Sequence, residues 1–528
     1  MQLTGQNYIG ARLSGLGMRT FRGVDPVKNV ELETVFHDAT PEEIDAAVRL
    51  AESAFVAYRR KSPKERAAFL VAIAVEIEAM GDELLNQAAL ESALPAARLI
   101  GERGRTTGQL RMFAAMLEEG SWVDARIDRA NPDRKPLPKP DLRRMLRPLG
   151  PVVVFGASNF PLAFSAAGGD TASALAAGCS VIVKAHPSHP GTSELTIAAV
   201  LRAAKSTGMP DGIVSMLHGA SPDVSVALVK HPLVKAVGFT GSLRAGRALF
   251  DVAASRPEPI PVYAEMGSIN PIFILPRAMK ERGAQIAEGL KNSVTAGVGQ
   301  FCTNPGVVVG LDDETTRAFV VQFAGLMAVA PGGTMLNAGI GSAFAAGTRR
   351  FSETPGVRIA AKSPAATPLP TQAAPVVFTT DADHFVANHQ LREELFGPAT
   401  MIVTGRSREQ LEAVAQSLDG QLTVTVHAAP GELAEYRDLV EILERKAGRL
   451  VFNSYPTGVE VCAAMNHGGP YPATTDSRST SVGGAAILRF ARPVCYQDFP
   501  GESLPEELRD GNPRHIWRLD DNEWTNQK

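Results

Sequence analysis

The sequence predicts an α/β protein with two parallel sheets, because apolar strand-like runs alternate with helix-like segments along most of the chain. From residue 149 the strand-like runs are PVVVFGA, SVIVKA, IVSMLHG and VKAVGFTG. Helix-like segments follow the first three runs, at 170–178, 192–207 and 221–230. A second alternating region extends from about 267 to 465 and contains NPIFIL, GVVVGL, ATMIVTG, QLTVTVHA and RLVFNS. Continuous apolar strands, each followed by a helix, are typical of parallel sheets that are covered on both faces.

The rest of the chain differs in character. Apolar residues recur at helical spacing in 41–60, 64–92 and 105–119, so we expect the opening third to be mainly helical. The proline-rich stretch ANPDRKPLPKP, within 125–148, is flanked by short strand-like runs and favours an extended hairpin. From 482 the tail returns to a strand, AAILRFARPVCYQ, and then becomes charged and irregular. We therefore expect two α/β domains and a projecting β element in two parts.

Composition narrows the functional class. The chain has 528 residues, enough for two to four domains, and its net charge of −3 gives no general attraction to nucleic acid or to a membrane surface. The start of the chain lacks a signal-like apolar core, and no stretch is apolar enough to span a bilayer. Its 4 cysteines are far apart, which suits neither a disulfide framework nor a metal site. We expect a cytoplasmic protein with reduced thiols, no metal and no membrane or nucleic-acid partner.

Cys302 lies in GQFCTNPG, among small, polar and turn-forming residues that follow a helix-like segment at 285–298. A nucleophilic thiol needs access and a lowered pKa, which a loop on a rigid scaffold can provide. The commoner fate of a cysteine is burial as a small hydrophobic residue, so this segment alone leaves both interpretations open.

Two other segments place a polar side chain at the end of a strand-like run. Glu265, in VYAEMGSINP, is suited to act as a general base if it is partly desolvated, although a solvent-facing glutamate is the plainer alternative. Asn159, in GASNFPLAF, can donate to a developing oxyanion, but it is equally suited to cap a helix.

A further set of residues indicates a phosphate-bearing cofactor. Lys184 closes the run SVIVKA, and Gly241 and Ser242 in FTGS close VKAVGFTG before a helix. Glycine and serine at a helix N-terminus offer backbone N–H groups and a hydroxyl to a phosphate. The usual dinucleotide fingerprint GxGxxG is absent, so it gives no support here.

Taken together, SNFP, SVIVKA, FTGS, AEMGSINP, GQFCTNPG and EELFGP (393–398) occur in the order in which the aldehyde dehydrogenase superfamily carries its motifs. The chain resembles that superfamily over roughly residues 30–500. The resemblance implies a variant Rossmann cofactor-binding domain, an α/β catalytic domain and a β hairpin that joins subunits. The cofactor-binding domain would comprise residues 1–124 and 149–266, and the catalytic domain residues 267–483. The oligomerisation element and the tail would comprise residues 125–148 and 484–528. The subunit-joining hairpin implies a homo-oligomer, either a dimer or a tetramer.

The resemblance also implies catalytic roles. Cys302 matches the nucleophile of the superfamily, Glu265 its general base and Asn159 the amide of its oxyanion hole. One departure lies beside Glu265, where Ser268 and Ile269 replace the second glycine and the lysine of the usual ELGGKSP.

For the cofactor, Lys184 matches the lysine that holds the adenine ribose, and Gly241 and Ser242 match the pyrophosphate contact. Glu394 matches the glutamate that binds the nicotinamide ribose, with Phe396 packing near that ring. These matches imply a nicotinamide cofactor.

The run that follows Lys184 bears on the choice of cofactor. Many members have KPxE here, and the acid of that motif binds the adenosine ribose hydroxyls. In this chain the run is Lys184-Ala185-His186-Pro187, so the position of the acid is Pro187. The missing carboxylate, with Lys184, His186 and Ser188 as donors, leaves room for a 2′-phosphate. We therefore expect NADP to be preferred and NAD to be usable.

The segments FGASNFPLAF, VKAHPSHPGTSE and HGGPYPATTDSRSTSVG most resemble bacterial 2-ketoglutaric semialdehyde dehydrogenases, which implies oxidation of that aldehyde to 2-ketoglutarate. By analogy Phe160, Ala163, Phe164 and Ala167 would line the substrate tunnel. Arg111, on the helix at 105–119, is a candidate for binding a substrate carboxylate, and an exposed helical arginine is the alternative.

Three other functions stay open at this point. One is an NADP-dependent fatty or aliphatic aldehyde dehydrogenase, a branch that shares much of the pattern. Another is a cofactor-independent thiol hydrolase, in which Cys302 would need His186, His189 or His467 as a partner. The third is a non-enzymatic binding role on the same scaffold.

Overall fold

The computed structural model describes residues 2–364 and 368–527, and its elements follow the predicted alternation of strands and helices. In chain order the strands are β1 (Asn7–Ile9), β2 (Arg12–Ser14), β3 (Thr20–Asp25), β4 (Val30–His37), β5 (Arg126–Asp128), β6 (Leu142–Pro148), β7 (Val152–Phe155), β8 (Val181–Lys184), β9 (Val214–Leu217), β10 (Ala236–Thr240), β11 (Val262–Glu265), β12 (Ile272–Ile274), β13 (Val307–Leu311), β14 (Gly333–Thr334), β15 (Arg358–Lys362), β16 (Gln372–Ala373), β17 (Val376–Asp381), β18 (Ala399–Gly405), β19 (Gln421–His427), β20 (Ala447–Phe452), β21 (Ala491–Gln497), β22 (Arg518–Asp520) and β23 (Glu523–Thr525).

The α-helices are α1 (Pro41–Tyr58), α2 (Pro63–Ala79), α3 (Gly81–Ser92), α4 (Ala96–Glu119), α5 (Gly169–Ala177), α6 (Pro190–Ser206), α7 (Pro222–Lys230), α8 (Leu243–Ala254), α9 (Pro276–Thr295), α10 (Glu314–Ala328), α11 (Ala338–Glu353), α12 (Ala382–Ala387), α13 (Arg408–Ser417), α14 (Glu432–Glu435) and α15 (Arg437–Glu444). Short 3₁₀ segments lie at Ser121–Val123, Ala296–Gly299, His389–Arg392, Gly484–Phe490, Gly501–Ser503 and Glu506–Leu508.

The first sheet contains the predicted strand–helix rhythm. Its order is β11-β10-β7-β8-β9-β1-β2, and the five strands from β11 to β9 are parallel. The strands β1 and β2 add an antiparallel edge that the sequence did not predict. Because β8 and β10 flank β7 on opposite sides, the carboxyl ends of these strands open onto a crevice of the kind in which α/β proteins bind ligands.

Both faces of this sheet are covered, as the apolar runs predict. Val152 and Val154 pack into the cluster formed with α2, α4, α5 and α6, whereas Val153 and Phe155 pack into the cluster formed with α1, α7 and α8. Successive residues of a strand point to opposite faces, so a strand buried on both faces must be apolar at every position.

The helices that cover it begin with strong caps. Thr40 and Glu43, for example, form a capping box at the start of α1.

The second sheet has the order β15-β17-β18-β13-β12-β19-β20 and is parallel except for the edge strand β15. It contains the five runs that the sequence analysis assigned to the second alternating region. The two sheets therefore confirm the predicted α/β class. The domain boundaries themselves stay a prediction.

A third sheet, ordered β21-β6-β5-β22-β23, unites the two parts of the predicted β element. The strands β5 and β6 pair antiparallel on either side of the proline-rich stretch, and β6 pairs antiparallel with β21. Two details of the prediction are wrong. The segment Gly484–Phe490 is a 3₁₀ helix, so the strand begins at Ala491, and the charged tail contributes β22 and β23.

The opening third also differs in part from the prediction. The predicted helical segment 64–92 is two helices, because Gly81 adopts a left-handed φ of 55° after Ala79 ends α2. Strands β3 and β4 form a hairpin before the first helix. Within the described residues, each helix is too short or too polar to cross a membrane.

Candidate active site

A cavity of about 420 Å³ is lined by the ends of β10 and β11, by α11 and by the loops that carry Asn159, Cys302 and Glu394. The residues predicted for catalysis, for the cofactor and for the substrate that line this cavity are Asn159, Phe160, Phe164, Gly241, Ser242, Glu265, Cys302, Glu394 and Phe396. Segments more than 200 residues apart in the sequence thus meet at one site.

Cys302 lies on a loop at the end of a helix, as predicted. The 3₁₀ segment that follows α9 contains three successive residues with positive φ, Gly297, Val298 and Gly299. A β-branched residue in this region is strained, and such strain persists only where the surroundings hold the backbone in place. Gly299 supplies part of that constraint, because a Cβ atom there would lie 2.2 Å from the carbonyl of Gly397. The nucleophile loop is therefore pressed against the loop that carries Glu394.

Asn159 is anchored to the same loop. Its Nδ2 donates to the carbonyl oxygen of Gln300 at 3.0 Å, and its own carbonyl accepts from Arg98 at 2.7 Å. The helix-cap alternative is wrong, since the next helix, α5, begins at Gly169 and is preceded by turns. The amide is held two residues from Cys302, where it can donate to an oxygen bound at that position.

Glu265 is the last residue of β11 and is buried, so the alternative of a solvent-facing glutamate is wrong. Its Oε1 lies 3.0 Å from His467 Nε2, and its Oε2 accepts a short hydrogen bond from Ser481. Burial alone would raise the pKa of Glu265. The charge of His467 and the bond from Ser481 outweigh it, so the pKa lies below its ordinary value.

His467 also lies 3.5 Å from Cys302 Sγ, so it connects the nucleophile with the carboxylate. The sequence analysis named it only as a partner for a thiol hydrolase, because nothing in HGGPYPATTDSRSTSVG showed that it would reach Cys302. Burial raises the pKa of the Cys302 thiol well above its usual range, and the negative charge of Glu265 raises it further. In this environment the resting thiol is protonated.

The ligand atoms of Glu265, Cys302 and His467 all lie within 4.8 Å of one another. A thiol, an imidazole and a carboxylate are also a donor set that zinc accepts. The expectation that the protein has no metal stays a prediction.

Glu394, which is partly buried, lines the same cavity as Glu265 and Cys302. Burial raises the pKa of Glu394 to about 8, and the charge of Glu265 acts in the same direction. Gly267 makes this packing possible, because a Cβ atom there would lie 2.8 Å from Glu394 Oε2. The result is a carboxyl group placed to form hydrogen bonds with a ligand's hydroxyl groups.

The phosphate-binding prediction corresponds to the N-terminus of α8. Ser242 is the N-cap residue, and its hydroxyl oxygen accepts from Ala245 N–H, which leaves the hydroxyl hydrogen to donate. Gly241 bonds to the carbonyl of Glu265 and so joins β10 to β11 at the cavity. The positive end of the helix dipole favours an anion at this position.

Lys184 ends β8 and is buried, and this burial lowers its pKa to about 8. His186 packs against His189, with ring centres 5.4 Å apart. Burial lowers the pKa of His186 well below its usual range, so it is a neutral hydrogen-bonding group here. Ser188 Oγ accepts from Asn337 Nδ2 at 2.9 Å and keeps its own hydrogen free. No motif near Ser188 indicated Asn337, which is more than 140 residues away in the sequence.

The predicted substrate tunnel is only partly supported. Phe160 and Phe164 line the cavity and pack with each other at 5.3 Å, and Ala163 joins the same apolar cluster. Ala167 instead belongs to the core beneath the first sheet.

The assignment of Arg111 to the tunnel is wrong. Its guanidinium forms two hydrogen bonds of 2.7 Å with Glu78 on the half-exposed outer side of α4. The arginines of α4 that approach the tunnel are Arg98 and Arg105, which lie over the rings of Phe160 and Phe164.

The departure after Glu265 has a structural explanation. Ser268 Oγ donates to Gln421 at 2.9 Å and accepts from Leu422 N–H at 3.0 Å, so it joins this loop to β19. Asn270, in turn, donates to the carbonyl of Cys302 at 2.8 Å. Ser268 and Asn270 therefore connect the segment after β11 to β19 and to the Cys302 loop.

Comparison with known proteins agrees with this architecture. Residues 14–478 match the aldehyde dehydrogenase family. The chain is similar to alpha-ketoglutaric semialdehyde dehydrogenase 2 of Azospirillum brasilense, with 51% identity over 523 residues and 99% of each chain covered. It is also similar to alpha-ketoglutaric semialdehyde dehydrogenase of Acinetobacter baylyi, with 44% identity over 516 residues and 98% of each covered.

Among solved structures, a mutant aldehyde dehydrogenase from Bacillus cereus superposes with a TM-score of 0.80 at 23% identity, covering 94% of this chain and 96% of that chain. PnpE in complex with nicotinamide adenine dinucleotide superposes with a TM-score of 0.79 at 20% identity, covering 96% and 100%. These similarities concern the fold.

The chain belongs to the aldehyde dehydrogenase family. It is an oxidoreductase that acts on aldehydes with a nicotinamide cofactor. This membership decides against the thiol hydrolase and the non-enzymatic alternatives, although the Cys302–His467 contact alone would suit a hydrolase.

Proposed function

We propose that the protein oxidises 2-ketoglutaric semialdehyde to 2-ketoglutarate through a thioester on Cys302. The observation that carries this proposal is the convergence of Cys302, Glu265 and Asn159 on one buried cavity. The substrate is proposed from the two relatives named for it, which are similar to this chain over almost its whole length.

The first stage is attack by Cys302 Sγ on the aldehyde carbon. The thiol must first lose its proton, and the pair of Glu265 and His467 lies within reach to take it. The new C–S bond leaves negative charge on the former carbonyl oxygen. Asn159 Nδ2 and the backbone N–H of Cys302 stabilise that charge, a contribution of about 3 kcal/mol for one such donor.

The second stage is hydrolysis. A nicotinamide cofactor held by Gly241, Ser242 and Glu394 would supply the hydride acceptor that oxidation of the adduct to a thioester requires. With the thiol proton passed on to His467, Glu265 removes a proton from water, the water oxygen bonds to the acyl carbon, and the C–S bond breaks to release the Cys302 thiolate. The Glu265 carboxylate is buried next to His467 and lines the same cavity as Cys302.

The residues fit the cofactor. Glu394 offers a partly buried carboxyl group to ribose hydroxyls, Gly241 and Ser242 offer a helix N-terminus to the pyrophosphate, and Phe396 lies beside them in the cavity. We propose that Lys184, His186 and Ser188 surround the adenine ribose. The absence of an acid at Pro187 and the presence of the Lys184 ammonium favour NADP, with NAD also usable.

We further propose a cytoplasmic homo-oligomer, a dimer or a tetramer, in which the third sheet joins the subunits. The support is the projecting β5–β6 ribbon and the paired strand β21. The domain division given by the sequence is proposed together with this assembly.

The test is a set of initial rates of NADPH or NADH formation with 2-ketoglutaric, succinic and long-chain aldehydes, each with both cofactors. We expect 2-ketoglutaric semialdehyde with NADP to give the highest kcat/KM. A preference for the long-chain aldehyde would favour the fatty aldehyde dehydrogenase instead.

In the same assay, Cys302→Ala should lose all detectable turnover, because the covalent step has no nucleophile. Cys495→Ser is the matched control, since that thiol is exposed on β21. Continued NADPH formation by Cys302→Ala would refute the thioester mechanism.

A further inference from the structure

One face of α4 is directed at the substrate side of the cavity. Arg98, Glu102 and Arg105 are spaced four and three residues apart, so they lie next to each other on the helix surface. Glu102 Oε1 accepts from the N–H groups of Leu162 and Ala163 at 2.8 and 3.0 Å. These bonds fix the face against the loop that contains Phe160 and Phe164.

Arg105 has a buried guanidinium edge that lacks a partner. Its Nε and Nη2 atoms are buried, and the described residues provide no hydrogen-bond acceptor for either. The guanidinium carbon lies 5.4 Å from the ring centre of Phe164 and 6.0 Å from that of Phe160. A buried charged donor without a partner costs about 1–3 kcal/mol or more, so such a group in a folded protein calls for an explanation.

The geometry of the two atoms indicates the missing partner. Nε and Nη2 form one edge of the planar guanidinium, and two parallel N–H groups on one edge match the two oxygens of a carboxylate. The rings of Phe160 and Phe164 beside it also line the cavity that contains Cys302. An anion bound to this edge would therefore lie at the apolar end of the substrate side.

The charges near Arg105 place it within range of the reaction centre. Burial lowers the pKa of Arg105, while the negative charges of Glu102 and Glu265 act in the opposite direction. Burial also raises the pKa of Glu102, which weakens its role as a counter-ion. The site thus holds a cation that its own acids neutralise only in part.

Each of the other arginines of α4 has a hydrogen-bond partner, although Arg98 Nη1 is also buried without one among the described residues. Arg98 Nη2 donates to the Asn159 carbonyl, and its guanidinium lies over the rings of Phe160 and Phe301. Arg103 donates to the Gly81 carbonyl at 3.0 Å, and Arg111 pairs with Glu78. Among these arginines, Arg105 is the one in which both atoms of the Nε–Nη2 edge are buried without a partner in the part of the chain that the structure describes, so this edge can bind a ligand through two hydrogen bonds.

We propose that Arg105 binds the carboxylate of the substrate and so determines specificity for aldehydes that carry an acid at the far end. The inference rests on the proposed function and names the residue that recognises its substrate. In 2-ketoglutaric semialdehyde four C–C bonds separate the aldehyde carbon from the carboxylate carbon, about 5 Å when extended. Phe160 and Phe164 contact the intervening carbons.

The experiment compares Arg105→Met and Arg105→Lys with Arg111→Met, a control on the same helix whose partner is at the surface. Each protein is assayed with 2-ketoglutaric semialdehyde, succinic semialdehyde and pentanal, a neutral aldehyde with the same number of carbons as the first. A hydrogen bond to a charged group contributes about 1.5–3 kcal/mol, which corresponds to roughly 10- to 150-fold. We expect Arg105→Met to lose that factor in kcat/KM for both acids, mainly through KM.

For pentanal we expect Arg105→Met to change kcat/KM less than about 3-fold, since that substrate makes no such bond. The kcat/KM of Arg105→Lys for the acids should lie between those of the wild type and Arg105→Met, because lysine keeps the charge but loses the bidentate edge. Arg111→Met should match the wild type with every aldehyde. An equal loss with acids and pentanal would mean a structural role, and no loss with the acids would mean no contact; either result overturns the inference.

The wild-type rates separate this inference from the proposed function. If the wild type prefers pentanal, the proposed substrate is refuted. If the wild type prefers the acids and Arg105→Met keeps that preference, only the role of Arg105 is refuted. Titration calorimetry with 2-ketoglutarate gives a readout without turnover. Its affinity should fall in Arg105→Met and stay unchanged in Arg111→Met, and unchanged affinity in both would overturn the inference.

Discussion

The two sides of the cavity around Cys302 are built in different ways. The side proposed for the cofactor consists of strand ends and a helix start: Lys184 ends β8, Ser242 caps α8 and Glu265 ends β11. The side proposed for the aldehyde consists of one face of α4, the loop with Phe160 and Phe164, and the segment that carries His467.

This difference explains which residues a sequence pattern can predict. Carboxyl ends of parallel strands meet at one edge of a sheet, so a polar residue after an apolar run is already placed near the site. No such rule applies to α4. Its position depends on packing against α2, α5 and the 159–164 loop, which only the folded chain shows.

The largest effect is expected where the two sides meet, at Glu265. We expect Glu265→Gln to lower steady-state turnover about 10²- to 10⁴-fold, the usual contribution of a general base. The variant should still form one equivalent of reduced cofactor in a rapid burst, because the acyl group is transferred but not released. Stopped-flow absorbance at 340 nm separates the two phases.

Glu258→Gln is the control for Glu265, since Glu258 lies before the same strand but is exposed and paired with Lys235. It should keep both phases. Unchanged turnover in Glu265→Gln would exclude it as the base. Loss of the burst with loss of turnover would assign the pair of Glu265 and His467 to deprotonation of Cys302.

A smaller effect is expected on the cofactor side alone. Lys184→Met should raise the KM for NADP about 10-fold, the value of one charged hydrogen bond, and leave the KM for the aldehyde unchanged. Burial lowers the pKa of Lys184 to about 8, so the ammonium is lost as the pH rises through that value. The wild-type KM for NADP should therefore rise above pH 8, and the variant should lack this rise.

Lys205→Met, at the exposed end of α6, is the control and should behave as the wild type. If Lys184→Met weakened the binding of NADP and NAD equally, Lys184 would bind the ribose without selecting the 2′-phosphate. If it weakened the binding of the aldehyde instead, the division of the cavity into a cofactor side and an aldehyde side would be wrong.

Much of the fold was predictable because its strands are buried on both faces. β7, β8, β10, β13, β18 and β19 are continuous apolar runs, and each was located from the sequence. The strands that were missed, such as β2 and β4, are largely exposed and too short or polar to stand out. The predicted strand over Gly484–Phe490 is a 3₁₀ helix packed on α5, and a short apolar run does not distinguish these two structures.

The site divides in the same way. Cys302, Glu265 and Asn159 were found from strand ends, loops and the family resemblance, and the cavity unites them. Arg105 was missed because α4 carries several arginines in similar contexts, and sequence reasoning chose Arg111 instead. Only the contacts distinguish them, since one is paired at the surface and the other has a buried, unpartnered edge.

The smallest effect concerns stability and tests how closely the loop with Glu394 is packed against Glu265. Burial raises the pKa of Glu394 to about 8, above the value of about 4.3 in an unfolded chain. Between these values the folded protein keeps a proton that the unfolded chain has lost, so stability falls as the pH rises and the loss is complete above pH 8. Glu394→Gln removes this loss. The Tm of the variant, measured without cofactor, should therefore exceed that of the wild type at pH 9 by more than at pH 5. Glu393→Gln, an exposed neighbour paired with Arg350, should show no such pH dependence, and a constant difference for Glu394→Gln would mean that Glu394 titrates normally.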